Sequence, residues 1–271
     1  MARRKIAGLR GIVTGASGGI GREIAIELAR RGARLALTAR RRSRLEQTAE
    51  AIQAAVGDGG PAPVLIEGDI TDNDLRRRLL AAVQDEFGGL DFLVNNAGVG
   101  ALGPFLDADE ERLRQVMEVN FFAPVELIRA AAPLLGKGRR PMIVNVGSVL
   151  GHRGVPNKSE YCAAKFALHG FSDALRAELA GDGVDVLLVS PSTTKTEFFD
   201  NVLNKQTEPA AAQSLAMSAQ AVAVRTVRAM QAGRHEVILS TGGKLLVWLD
   251  RLCPPLANRI IAKFGVKKQP E

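Results

Sequence analysis

Short apolar runs alternate with helical stretches along the whole chain, and no other feature of the sequence constrains its fold as strongly. Most runs are unbroken by polar residues, as is typical of strands buried on both faces of a sheet. The candidate strands are residues 11–14, 34–38, 64–67, 90–94, 142–146, 184–189 and 236–239. The candidate helices are residues 19–31, 42–56, 72–87, 109–135, 159–180 and 218–232. This alternation predicts an α/β protein with a doubly wound parallel sheet of about seven strands and helices on both faces.

A glycine-rich loop, Thr-Gly-Ala-Ser-Gly-Gly-Ile-Gly at residues 14–21, follows the first candidate strand and begins the first candidate helix. Glycines let a backbone approach a pyrophosphate closely, and a helix N-terminus offers free N–H groups. In this context the loop predicts a dinucleotide site within a single-domain Rossmann fold. The predicted contacts are Gly15, Ser17, Gly18, Gly19, Ile20 and Gly21.

The end of the second candidate strand indicates which dinucleotide binds. An acidic residue there would favour NAD, because it can bind the ribose 2′-hydroxyl. This chain has Ala39 followed by three arginines, of which Arg40 is the main candidate to bind a 2′-phosphate. We therefore expect NADP(H), with Arg41, Ser17 and Arg22 as helpers. A solvated helix start remains the alternative for Arg41 and Arg42.

Tyr161 and Lys165 stand four residues apart, on one face of a candidate helix. A phenol is a weak acid near pH 7, and a neighbouring ammonium would lower its pKa. An ordinary amphipathic helix is the alternative for this pair alone. However, Tyr161 is the only tyrosine of the chain, and Ser148 lies thirteen residues before it at the end of an apolar run. These three residues are candidates for acid–base chemistry.

Together these motifs resemble the short-chain dehydrogenase/reductase family over residues 6–240. The motifs that carry the resemblance, in family order, are residues 14–21, Asp69, residues 95–98, Asn120, Ser148, Tyr161 with Lys165, Pro191 and Thr196. The resemblance implies that Tyr161 is the acid for carbonyl reduction and the base for alcohol oxidation. It also implies that Ser148 binds the substrate oxygen, Lys165 lowers the Tyr161 pKa and binds the nicotinamide ribose, and Asn120 holds a proton-relay water.

The resemblance also implies further cofactor contacts, with one departure from the family. Asp69 and Ile70 would lie at the adenine, with a helix cap as the alternative for Asp69. Asn120 could instead bond local backbone, and Asn95 is expected to be structural. The remaining implied contacts are Asn96, Ala97, Gly98, Tyr161, Pro191, Thr194 and Thr196. Ser192 stands where the family usually has glycine, which narrows the space beside the nicotinamide.

The resemblance implies a substrate pocket formed by the loops after Gly98, before Tyr161 and after the sixth strand, and here these loops are mostly apolar. The candidate pocket residues are Val99, Leu102, Leu150, Val155, Phe198, Phe199, Val202 and Leu203, with Lys195 and Lys205 as the only basic residues nearby. We expect an NADP(H)-dependent oxidoreductase that interconverts a carbonyl and a secondary alcohol on a mainly apolar small molecule. A non-catalytic dinucleotide-binding scaffold or sensor is the alternative.

The composition of the chain argues against three other kinds of partner, namely nucleic acid, a metal ion and a spanned membrane. Aromatic residues are only 4% of the chain, and we find no stacking platform for single strands, so we expect no nucleic acid partner. His152, His169 and His235 are scattered, and two cysteines give no metal spacing, so we expect no metal site. No leader follows Met1, and no apolar run approaches the roughly 18 residues of a membrane span, so we expect a cytoplasmic protein.

We expect one catalytic domain over residues 1–243 and a tail over residues 244–271. The tail is apolar and basic, contains the only tryptophan, Trp248, and could form a pocket lid, a subunit contact or a membrane-surface segment. The resemblance implies a homodimer or homotetramer that pairs through the helices at 109–135 and 159–180. These helices carry more apolar residues than one core face needs, including Phe121, Phe122, Phe166 and Phe171.

Overall fold

The structure is a computed structural model that describes residues 3–57, 59–199, 202 and 216–265, with the backbone alone for Phe199 and residues 263–265. Seven parallel strands form one sheet in the order β3-β2-β1-β4-β5-β6-β9. These strands are β1 (Arg10–Thr14), β2 (Arg34–Ala39), β3 (Val64–Glu67), β4 (Phe92–Asn95), β5 (Met142–Val146), β6 (Asp185–Ser190) and β9 (Glu236–Ile238). A short parallel ladder joins β7 (Thr194–Lys195) to β8 (Met217–Ser218). The predicted doubly wound sheet is confirmed.

Helices cover both faces of the sheet. They are α1 (Gly19–Arg30), α2 (Arg42–Val56), α3 (Asn73–Phe87), α4 (Glu110–Met117), α5 (Ala123–Leu135), α6 (Ser159–Glu178), α7 (Ala219–Gln231), α8 (Thr241–Leu252) and α9 (Pro254–Gly265). Val13 joins a core with α1, α2 and α7, whereas its neighbour Ile12 joins a core with α3, α5 and α6. Successive strand side chains point to opposite faces, so a strand covered on both sides reads as a continuous apolar run.

The predicted helix at 109–135 is interrupted. A π-helical turn, Glu118–Phe122, lies between α4 and α5 and contains Asn120. Such single turns inside α-helices are frequent at functional sites. The spacing of apolar residues does not reveal this π-helical turn. A single such turn adds only one residue, so the sequence still reads as one continuous helix.

Basic residues near the start of the chain take part in ion pairs inside the fold. Arg4 pairs with Asp185 at 2.6 Å, and Arg10 pairs with the buried Asp91 at 2.8 Å. Residues 1–44 contain twelve Lys and Arg and only two acidic residues, and part of this positive charge serves to hold strands and loops together.

The described part of the predicted tail lies in two helices that contact the loop after β5, and α8 already begins at Thr241, before the predicted boundary. Arg153, which follows β5, donates to Asp250 of α8 at 2.8 Å and also to Asn258 of α9. Val247 and Ala257 are buried on the inner side of this pair of helices. Among the described residues, no helix has the length and apolar character needed to cross a membrane.

Candidate active site

A cavity of about 870 Å³ opens along the carboxyl ends of the parallel strands. This is the edge where open α/β sheets bind ligands. The predicted site residues that line it are Gly15, Ser17, Gly18, Gly19, Ile20, Arg40, Asp69, Ile70, Asn96, Ala97, Gly98, Ser148, Tyr161, Lys165, Pro191, Thr194 and Thr196. Gly21 and Asn120 are buried and lie outside this lining. One cavity therefore brings together nearly all of the residues singled out from sequence.

The glycine loop needs its glycines for close packing. Gly15 has φ +64°, and a Cβ atom there would lie 2.9 Å from the Ala97 Cα. A Cβ atom at Gly21 would lie 2.3 Å from both the Gly15 carbonyl oxygen and the Asn96 Nδ2. Such contacts are shorter than real side chains tolerate, so the loop holds its shape only with glycine at these positions.

The N-terminus of α1 faces the cavity without a cap of its own. Gly18 is the N-cap residue, no side chain caps the helix, and its first turn holds no acidic residue. The first N–H groups of a helix have no partner within the helix, and the helix dipole adds a partial positive charge there. These features fit the pyrophosphate of a dinucleotide.

Hydrogen bonds fix the glycine loop to the segment after β4. The Thr14 Oγ1 accepts from the backbone N–H groups of Asn96 and Ala97, each at 3.0 Å. The Asn96 Nδ2 donates to the Thr14 carbonyl at 3.0 Å. These hydrogen bonds hold the ends of β1 and β4 together as one rigid surface of the cavity.

Asp69 and the arginines lie at the end of the cavity next to β2 and β3. The Asp69 Oδ1 accepts from the backbone and hydroxyl of Thr71, while Asp72 caps α3, so the alternative of Asp69 as the helix cap is wrong. Arg40 is exposed and lines the cavity. Arg42 bonds Glu46 and the Leu65 carbonyl and is absent from the lining, as the solvated helix start predicts.

The other two arginine helpers make contacts of their own. Arg41 lines the cavity and lies 3.7 Å from Glu197. Arg22 pairs with Glu23 at 2.5 Å and lines a smaller adjoining cavity instead. Arg40 is therefore the arginine whose position best fits the prediction.

Ser148 and Tyr161 meet at the opposite end of the cavity. Ser148 follows β5, and its Oγ accepts from the Leu150 N–H at 3.1 Å, which leaves the serine hydroxyl hydrogen for another acceptor. Tyr161 lies in the first turn of α6 and hydrogen-bonds with Ser148. Burial raises the pKa of Tyr161, and the hydrogen bond with Ser148 offsets only part of this rise.

Lys165 is buried one turn further along α6. Its Nζ donates to the Val146 carbonyl at 2.9 Å and lies 5.7 Å from the centre of the Tyr161 ring. Burial lowers the pKa of Lys165 to about 8. The expectation of a lowered Tyr161 pKa is wrong for this arrangement, because desolvation of the phenol is the dominant effect and Lys165 is held on a strand carbonyl.

Asn120 lies behind the cavity wall in the π-helical turn. Its Nδ2 donates to the Val99 and Val116 carbonyls, each at 2.9 Å, so it does bond local backbone, as the alternative held. Its Oδ1 is buried without a hydrogen-bond partner among the described residues. A Cβ atom at Gly98 would lie 2.8 Å from that oxygen. The buried, unpartnered oxygen is suited to a water molecule.

A buried polar chain supports α6 and was missed from sequence. The Asn95 Nδ2 donates to the Asn145 Oδ1 at 2.9 Å, and the Asn145 Nδ2 donates to the Ser172 Oγ at 2.9 Å. This chain links β4 and β5 to α6, and it agrees with a structural Asn95. Asn145 could have been suspected, because it is a polar residue inside an apolar strand.

A second missed feature is the buried ion pair of Arg112 with Glu160. Two guanidinium nitrogens of Arg112 donate to the Glu160 Oε1 at 3.0 and 2.6 Å, and both side chains are nearly inaccessible. Glu160 immediately precedes Tyr161, so the pair anchors the start of α6 to α4. A buried pair of this kind fixes position more than it adds stability.

The substrate side of the cavity is mostly apolar, and two residues that were not predicted, Leu246 and Lys158, also line the cavity. Val99, Leu102, Leu150, Val155, Phe198 and Val202 all line it as predicted, while the Phe199 side chain and Leu203 lie outside the described part. Leu246 of α8 lines it too. The expectation of no nearby ammonium except Lys195 and Lys205 is wrong, because Lys158 lines the cavity and burial lowers its pKa.

Two of the three histidines do cluster, contrary to the sequence expectation. The rings of His152 and His169 lie 4.4 Å apart, and Glu236 approaches the His152 Nε2 at 3.3 Å. The same His152 nitrogen lies 2.9 Å from the Ser190 Oγ. Folding brings these residues together from the loop after β5, α6 and β9, where they tie the Ser148 loop to the edge of the sheet.

The chain belongs to the short-chain dehydrogenase/reductase family. The family model described as "short chain dehydrogenase" matches residues 11–207. The uncharacterized oxidoreductase YxnA of Bacillus subtilis is 30% identical over 264 residues, which cover 95% of this chain and 72% of that protein. The family consists of oxidoreductases that act on CH–OH groups.

Solved structures share the fold. A short-chain dehydrogenase/reductase from Burkholderia phymatum in complex with NAD matches with a TM-score of 0.82 at 23% identity, over 99% of this chain and all of that one. A short-chain dehydrogenase from Burkholderia cenocepacia in complex with NADP matches with a TM-score of 0.77 at 26% identity, over 97% of this chain and all of that one. The first of these two proteins was solved with NAD and the second with NADP.

Proposed function

We propose that this protein is an NADP(H)-dependent oxidoreductase that interconverts a carbonyl and a secondary alcohol on a mainly apolar substrate. The observation that carries the proposal is the shared cavity. The glycine loop and uncapped α1 stand at one end, and the hydroxyls of Ser148 and Tyr161 stand at the other. The cofactor, when bound, supplies or accepts the hydride.

In reduction the protein orients the carbonyl and supplies one proton. The Ser148 hydroxyl donates a hydrogen bond to the substrate oxygen, and the Tyr161 hydroxyl delivers its proton to the same atom. The raised pKa of Tyr161 keeps the phenol protonated before reaction. In oxidation the direction reverses, and Tyr161 takes the proton of the alcohol as its own proton leaves through Lys165 toward solvent.

Lys165 and Asn120 serve this proton transfer. The Lys165 ammonium uses one N–H on Val146, which leaves two N–H donors for the nicotinamide ribose and the phenol oxygen. The unpartnered Asn120 Oδ1 holds a water that passes a proton between Lys165 and solvent. Asp69, Ile70 and residues 96–98 contact the adenosine part, and Pro191, Thr194 and Thr196 contact the nicotinamide.

The preference for NADP(H) rests on the end of the cavity beside β2. Arg40 stands there without an ion pair among the described residues, and Ala39 replaces the acid that would bind a ribose 2′-hydroxyl. A guanidinium suits a 2′-phosphate. The proposal is supported by the short-chain dehydrogenase of Burkholderia cenocepacia, which was solved in complex with NADP.

A cofactor-consumption assay tests the activity. NADPH and NADH are each supplied with lipophilic ketones and aldehydes, and with matched compounds that carry a carboxylate for Lys158. We expect NADPH to be consumed faster than NADH with an apolar carbonyl. Tight NADPH binding without turnover of any carbonyl or alcohol would instead support the non-catalytic scaffold.

We also propose a homo-oligomer formed through the π-turn and α6. Phe122 is 48% exposed and Phe166 is 44% exposed there. Phe121 and Phe171 are half-buried and pack edge to face at 6.1 Å, and Phe121 also packs on Phe122 at 5.3 Å. Light scattering at micromolar concentration should give at least the dimer mass, and Phe166→Arg should lower it. A wild-type monomer would refute this assembly.

A further inference from the structure

The helices α8 and α9 present two different faces. Leu246 lines the substrate cavity, and Val247 and Ala257 are buried against the rest of the protein. Five other apolar residues of these two helices are exposed, and we call this set the outer row. It consists of Leu245, Trp248, Leu252, Leu256 and Ile260. The inner face thus works as a wall of the cavity, while the outer row has no cover in the described structure.

The side chains of the outer row are unusually exposed for large apolar residues. Leu245 is 66% exposed, Trp248 is 58% exposed and Leu252 is 77% exposed. Their spacing of three and four residues puts them on one side of α8. A contiguous apolar patch of this kind marks a site of interaction.

The charges beside the outer row have one sign. Lys244, Arg251 and Arg259 are exposed, and no ion pair is found for them among the described residues. Asp250 is the only acidic residue of residues 241–265, and Arg153 neutralises it at 2.8 Å. Lys267 and Lys268 follow in the sequence, outside the described residues. The outer surface is therefore apolar and basic.

These charges decide between two partners that could cover the row. A second copy placed by a two-fold axis would bring the same patch against itself, and its basic residues would face each other. An anionic lipid surface offers both an apolar layer and opposite charge. Helix α8 has 12 residues, about 18 Å of length, so it can lie in the interface but cannot cross a bilayer.

We propose that α8 and α9 dock this protein on the surface of an anionic bilayer through the outer row. Leu246 follows Leu245 directly, so the docked face adjoins the cavity wall. Apolar substrates that partition into the bilayer would then be concentrated beside the cavity. The docking does not depend on the proposed catalysis, so failure of one leaves the other standing.

Trp248 makes the test direct, because it is the only tryptophan of the chain. The full chain is titrated with vesicles of phosphatidylcholine alone and of phosphatidylcholine mixed with phosphatidylglycerol, at low and high salt. We expect a blue shift of the Trp248 emission with the anionic vesicles and a weaker effect at high salt, because screening reduces the attraction to basic residues.

Substitutions distinguish the contribution of the basic residues to vesicle binding from that of the apolar residues. Lys244→Gln and Arg259→Gln should each lower the partition coefficient about fivefold, whereas the control Arg129→Gln on α5 should leave it unchanged. Leu252→Gln should weaken binding to the same vesicles. Absence of a shift with anionic vesicles would overturn the proposal. So would a blue shift that grows with protein concentration without vesicles, since that identifies a second copy on the outer row.

Discussion

The cavity has two walls of different construction. The cofactor wall consists of the glycine loop, the segment after β4 and the start of α6, and hydrogen bonds of buried polar groups fix it. The lid wall consists of apolar side chains from loops and from α8, such as Leu102, Phe198 and Leu246. Directional bonds and close backbone contacts tolerate little displacement, whereas apolar contacts can repack.

This difference separates two tasks. The cofactor wall has to place a hydride and a proton to within a fraction of an ångström, so its residues are expected to be intolerant of change. The lid wall only has to exclude water and accept an apolar group. Substitutions on the cofactor wall should therefore abolish function, and those on the lid wall should alter substrate range.

The largest effect is expected at Gly21. Gly21→Ala would put a Cβ atom 2.3 Å from the Gly15 carbonyl oxygen, so the loop must shift or the fold must loosen. We expect a loss of about 3–5 kcal/mol in the free energy of unfolding and loss of NADPH binding, measured by urea unfolding and by titration. The control Gly170→Ala, where the Cβ meets nothing, should keep both. Normal stability of Gly21→Ala would show that the loop is less rigid than described.

Next is the buried ammonium of Lys165. Its pKa in the folded state is about 8, below the ordinary value of 10.5, so between these values the unfolded state binds more protons. Stability should therefore rise with pH across this window and be lower below it. Relative to Lys165→Met, the wild type should gain about 2–4 kcal/mol over the window, measured by urea unfolding at each pH.

The control for that series is Lys195→Met, because Lys195 is exposed. The difference in the free energy of unfolding between Lys195→Met and the wild type should stay constant with pH. Parallel stability profiles for wild type and Lys165→Met would mean that the ammonium is solvated in the folded protein.

A smaller effect is expected at the rim of the cofactor wall. Arg40→Ala should weaken NADPH binding by about 1–3 kcal/mol through loss of a charge-assisted contact and leave NADH nearly unchanged. Arg42→Ala is the matched control, because Arg42 bonds Glu46 instead. Titration with both cofactors measures the difference. A wild type that prefers NADH would contradict the assignment.

The smallest effect is expected on the lid wall. Leu246→Ala enlarges the cavity beside the apolar substrate without touching the predicted cofactor contacts. We expect a several-fold higher KM for small apolar carbonyls, near-constant kcat and unchanged NADPH affinity. Loss of NADPH binding in this variant would show that the two walls are not separate.

The features that the sequence predicts are local patterns, and those that it does not predict join distant segments. The glycine loop and the Tyr161–Lys165 pair are local patterns, since a close backbone approach needs glycine and a four-residue spacing needs only a helix. The pair of Arg112 with Glu160 and the contact of His152 with Glu236 join distant segments, so no local pattern carries them. The direction in which the pKa of Tyr161 shifts is not carried by the motif, because the burial that raises this pKa is a property of the tertiary structure.

The most direct test of the central claim is the comparison of wild type with Tyr161→Phe at saturating NADPH and an apolar carbonyl substrate. The phenol is the proposed proton donor and hydrogen-bonds with Ser148, whereas the glycine loop is the main anchor of the cofactor. The account predicts that kcat falls by roughly 10²-fold or more while the Kd for NADPH stays nearly the same. A variant that turns over at a near-normal rate would contradict it.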